Sequence, residues 1–89
     1  MSATIEKEVV PSLYTLWEVL ACLPNGWTLK SDDELLGAWD APRRVWSIRL
    51  FDGADVQWTL EVKRSEIERY SRAEALRRSM DHLYRDALG

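Results

Sequence analysis

His82 stands four residues before Asp86, the spacing at which a helix lets a carboxylate orient an imidazole for proton transfer. The same spacing describes an ordinary surface ion pair, and that is the reading adopted, because no second catalytic partner has a motif. Cys22, the single cysteine, falls beside the apolar face of the first predicted helix and reads as an inert core thiol rather than a nucleophile. One His and one Cys cannot furnish the four N or S ligands of a structural zinc site. The four glycines are too scattered for a phosphate-cradling loop. The expectation is a chain without catalytic residues, metal or cofactor.

Binding chemistry is better represented. Asp32, Asp33 and Glu34 are consecutive, with Asp40 further on, and Trp27 and Trp39 flank the run. A turn needs only one such acid for its geometry, and three in a row repel one another, so the run exceeds what structure requires. These six residues are the expected partner-binding set: carboxylates to steer a basic protein surface, and an indole to anchor in a pocket. Trp17, Trp46 and Trp58 sit on predicted inward faces and are expected in the core.

Charge agrees with an acidic front. The 89 residues carry a net charge of −3, with residues 1–42 at −5 and residues 43–89 at +2. The lone cysteine rules out an internal disulfide and points to a reducing, cytoplasmic setting. Charges at Glu6, Lys7 and Glu8 stand where a signal peptide would be apolar, and no apolar run approaches the roughly 20 residues that span a bilayer. A length of 89 residues means one domain, whose small core must be dense. Five Trp, three Tyr and one Phe supply it.

The elements that must position these groups follow from periodicity. Residues 1–10 read as a mobile arm and 11–89 as a single fold. Pro11 opens a helix with Leu13, Leu16, Trp17, Leu20 and Leu23 on one face, and Pro24-Asn25-Gly26 stops it. Trp27 to Lys30 and Glu34 to Trp39 read as strands around a turn at Ser31-Asp32-Asp33, or as one bent strand. Trp46, Ile48 and Leu50 alternate with polar residues, as do Val56, Trp58, Leu60 and Val62, and Asp52-Gly53 offers the left-handed chemistry of a tight hairpin turn. Ser65 and Ser71 each begin a Ser-x-x-Glu capping box; Ser71 is preferred as the start of a last helix with the stripe Ala73, Leu76, Met80, Leu83 and Ala87. The expected fold is α+β in α-β-β-β-α order, an antiparallel sheet of three to four strands with two helices on one face.

That order, with Pro11 opening the first helix and Ser71-Arg72-Ala73-Glu74-Ala75-Leu76 opening the last, resembles a double-stranded RNA-binding domain. The resemblance implies a nucleic-acid surface made of Arg43, Arg44, Arg72, Arg77 and Arg78. The family's lysines align with Arg72, Ala73 and Ala75, which leaves one cation, and phosphate binding depends on neutralised charge. Nucleic acid is therefore the second choice of partner. The layout and the same alanine-rich segment also resemble small α/β sandwich proteins of phages and prophages, some of them anti-CRISPR proteins and other inhibitors of host machinery. From these readings the expected function is a non-enzymatic protein-binding module, an inhibitor covering the basic surface of a nucleic-acid-handling partner. A homo-oligomeric subunit is a third reading, since a short aromatic-rich chain can hide apolar area against a copy of itself.

Overall fold

The computed structural model describes residues 14–30 and 35–89. The expected arm at 1–10, Pro11 and the turn at Ser31-Asp32-Asp33 lie outside the described residues. The fold is α+β, as the sequence predicts. Strand β1 (Tyr14–Thr15) leads directly into helix α1 (Leu16–Cys22), followed by β2 (Leu35–Leu36), β3 (Ala38–Asp40), β4 (Val45–Phe51), β5 (Gln57–Lys63), α2 (Arg64–Arg69) and α3 (Arg72–Leu88). Strands β3, β4 and β5 form an antiparallel three-stranded sheet, and β1 pairs β2 in a separate antiparallel ribbon.

The hairpin read from alternation is present and organises the core. Its register places Trp46 opposite Val62, Ile48 opposite Leu60 and Leu50 opposite Trp58 on one face. Ser47 and Glu61, and Arg49 and Thr59, face each other on the other side. Val19 of α1 and Ala75, Leu76 and Met80 of α3 join the inner-face residues in one buried cluster, with α2 and α3 packed against β5 and α1 packed against α3. Trp39 extends that face, its ring 4.1 Å from the ring of Trp46.

Several local expectations are corrected. Helix α1 begins at Leu16, because Thr15 caps it: the Thr15 hydroxyl accepts from Glu18 N–H, and the Glu18 carboxylate accepts from Thr15 N–H at 2.8 Å. With that start the buried position is Val19, and Trp17, two residues earlier, falls about 200° away around the helix. Trp17 is consequently 74% exposed instead of buried. Trp27 to Lys30 form no strand beyond a single bridge between Thr28 and Phe51. The segment expected as one strand from Glu34 to Trp39 is divided at Gly37, whose φ of 104° belongs to glycine's range. Leu36 thereby pairs with Tyr14 while Ala38 pairs with Ser47.

At the hairpin tip the left-handed residue is Asp55 (φ 63°) and not Gly53. Asp55 N–H donates to Asp52 carbonyl at 2.9 Å, and Asp52 N–H to Val56 carbonyl at 3.0 Å, which is a three-residue loop built on a turn followed by a left-handed residue. Val56 closes that loop and is half exposed rather than inward. Ser65 caps nothing, since α2 starts at Arg64 without a side-chain cap. Ser71 does cap α3, its Oγ accepting from Glu74 N–H at 3.1 Å. On α3 the buried alanine is Ala75, and Ala73 is exposed.

Candidate functional site

The six residues expected to form an acidic, tryptophan-anchored surface separate. Asp32, Asp33 and Glu34 lie outside the described residues. Asp40 ends β3 and closes the turn into β4, its Oδ1 accepting from Arg43 N–H at 3.3 Å and its Oδ2 lying 3.6 Å from the Arg43 guanidinium. Trp27 is buried, with ring centroids 6.2 Å from Trp58 and 6.1 Å from Tyr84. Burial removes Trp27 as an exposed anchor. Trp39 is half-buried and occupied by Trp46.

The five arginines proposed for nucleic acid are mostly engaged inside the molecule. Arg72 grips Glu18 with two nitrogens, Nη2 lying 2.9 Å from Oε1, and its guanidinium covers the Tyr14 ring at 4.6 Å. Arg77 is held between Glu74 and Asp81, the latter at 3.1 Å. Arg78 lies 3.6 Å from Glu66 and 4.0 Å from the centre of the Tyr70 ring. Arg43 donates to Glu61 at 2.7 Å, which raises the Arg43 pKa and lowers that of Glu61. Arg44 is exposed and forms no such pair among the described residues. Four of the five cations are thus committed to carboxylates, and a phosphate backbone would have to displace them.

The Glu18–Arg72 contact joins α1 to α3. Burial by itself would raise the Glu18 pKa, but hydrogen bonds from Arg72 and Thr15 together with the Arg72 charge outweigh it and hold the carboxyl below its ordinary value. Tyr14 completes the joint: its hydroxyl donates to Arg72 carbonyl at 2.7 Å, and burial pushes its pKa up to about 12, so it remains a donor at any physiological pH.

Reactive groups are not brought together. His82 and Asp86 are both exposed on α3 and share no hydrogen bond. Cys22 Sγ is within 3.6 Å of Val19 carbonyl, and burial raises its pKa, which keeps it a thiol. Among the described residues no three of His, Cys, Asp and Glu are grouped to hold a metal, and no helix is long and apolar enough to cross a membrane.

The surface feature absent from the sequence reading is the outer face of α1. Trp17 and Leu20, 41% exposed, stand one turn apart with the exposed Ala21 beside them. The signal was available: Thr15-Leu16-Trp17-Glu18 is the same capping-box pattern that marks Ser71. Taking it as the helix start turns Trp17 away from the core. Comparison with protein-family models, curated proteins and solved structures finds no match to this chain.

Proposed function

We propose that this chain is a non-catalytic module that binds a protein with a basic surface, and that Trp17 is its anchor. The observation that carries the reading is the 74% exposure of Trp17 on a helix whose opposite face is fixed in the core. Tryptophan is the residue type most enriched among binding hot spots, and Leu20 extends the apolar contact by a helical turn. The acidic run Asp32-Asp33-Glu34 supplies the charge that steers a basic partner. The engagement of Arg43, Arg72, Arg77 and Arg78 by carboxylates favours a protein over a nucleic acid as partner.

The test is recovery of partner proteins from extracts of the native source with immobilised wild-type chain, Trp17→Ala and Val56→Ala. Val56 is an exposed apolar residue at the hairpin tip and serves as the control. Loss of Trp17 is expected to leave the circular dichroism unchanged and to cut recovery of a specific partner at least about tenfold. Val56→Ala is expected to leave recovery intact. Replacing Asp32, Asp33 and Glu34 by Ser, Asn and Gln should slow association at low salt, since charge complementarity acts mainly on encounter. Equal recovery by wild type and a folded Trp17→Ala would overturn the proposal.

A further inference from the structure

The β4–β5 register sets Val45 opposite Lys63, and the pairing continues one step, where Arg64 N–H donates to Arg44 carbonyl at 3.0 Å. Two dibasic pairs, Arg43-Arg44 and Lys63-Arg64, thereby face each other across the end of the hairpin. Like charges directly opposite one another destabilise a strand pair. Here all four cations line one cavity of about 330 Å³ together with Glu61 and Glu68. Glu61 takes Arg43 at 2.7 Å and Glu68 takes Arg64 at 3.2 Å. Arg44 and Lys63 have no carboxylate within ion-pair distance among the described residues, so the cavity keeps a net of two positive charges.

The backbone adds an independent observation. Arg44 has a φ of 55°, a left-handed conformation that glycine adopts freely and arginine does not. Its N–H, donating to Asp40 carbonyl at 2.7 Å, and its carbonyl, accepting from Arg64, hold it there. The side chain is exposed and takes no part in the buried core. Strain of this kind persists where the surroundings over-determine it, and it concentrates at ligand sites.

We infer that this cavity binds a single phosphate group, as inorganic phosphate or as a phosphomonoester, between the Arg44 guanidinium and the Lys63 ammonium. A phosphomonoester carries about 1.5 to 2 negative charges near neutral pH, which matches the cavity's net charge of two. The guanidinium fork suits bidentate contact with phosphate oxygens. The cavity exceeds what inorganic phosphate alone would fill, leaving room for the group that carries it. A polyanion is disfavoured, because Arg72, Arg77 and Arg78 are each paired with a carboxylate and offer no track along the surface. The site is independent of the Trp17 surface.

The experiment is a set of amide-shift titrations of the whole chain with inorganic phosphate, O-phosphoserine and a short RNA duplex at low salt. Saturable shifts are expected at residues 43–45 and 61–65 with one or both of the first two, and the tighter of them identifies the form of the ligand. Arg44→Gly relieves the left-handed strain and so keeps the fold, with a denaturation midpoint at or above that of wild type, yet weakens phosphate binding at least about tenfold. Lys63→Gln weakens it similarly, and Arg77→Gln leaves it unchanged. Shifts spread evenly over every basic residue, full affinity in Arg44→Gly, or duplex RNA binding more than about tenfold tighter than both phosphate probes would each overturn the inference.

Discussion

Glu18 serves three groups at once: it caps the Thr15 N–H, accepts from the Thr15 hydroxyl and receives two nitrogens of Arg72. Because its folded pKa is lowered, its contribution is fully present above the ordinary carboxyl value near 4.5 and is lost as pH falls through the lower folded value. Both partners are about one-third exposed, so screening limits the effect, and Glu18→Gln should cost roughly 1 kcal/mol at neutral pH. Urea melts of wild type and variant should differ near pH 7, and the gap should narrow steadily as the pH falls below the ordinary carboxyl value; a gap that does not narrow in acid would assign the loss to something other than charge. Residue roles of this kind are only partly legible in sequence. The Thr15-x-x-Glu18 box has a local pattern. The reach of Arg72 to Glu18, across 54 positions, has none, and neither does the hydrogen bond from Trp58 Nε1 to Asp52 Oδ2 that seats the indole on its own hairpin loop.

Elements were legible where a period was long enough to fix a face. Strands β4 and β5 alternate over seven residues each, and α3 repeats its apolar stripe over 17. Short elements carry no such signal: α2 has Ile67 as its one apolar residue, and α1, at seven residues, is set by its cap rather than by its stripe. Between β2 and β3 the deciding feature is a single glycine. Gly37 turns the chain from the β1 ribbon into the main sheet with φ 104°, and an added Cβ would stand 3.3 Å from Ile48 Cγ1. Gly37→Ala should therefore cost about 1–3 kcal/mol from the backbone alone, with crowding against Ile48 added. A chemical melt that shows no loss would mean the β2–β3 connection relaxes freely, and that the division into ribbon and sheet is not enforced at this position.

Across the whole molecule the tryptophans divide by depth, and the division separates stability from binding. The sequence placed Trp17, Trp46 and Trp58 alike in the core; burial on folding sends Trp46 to full burial, Trp58 to half-burial and Trp17 to the surface. Trp46 is fully buried, opposite Val62 and against Trp39, and its Nε1 is buried without a hydrogen-bond partner among the described residues. Its place thus rests on packing, with the unmet N–H counting against it. Truncation to alanine leaves a large cavity and should cost about 3–5 kcal/mol. Domains of this size hold a total of about 5–15 kcal/mol, so Trp46→Ala should be largely unfolded or melt at a far lower denaturant concentration. Trp58→Ala, losing a half-buried ring, should cost less, and Trp17→Ala should stay within about 0.5 kcal/mol of wild type. The order of the three losses in denaturant melts is the check. A Trp17→Ala loss comparable to that of Trp46→Ala would put Trp17 inside the folding core and take the binding surface away from α1.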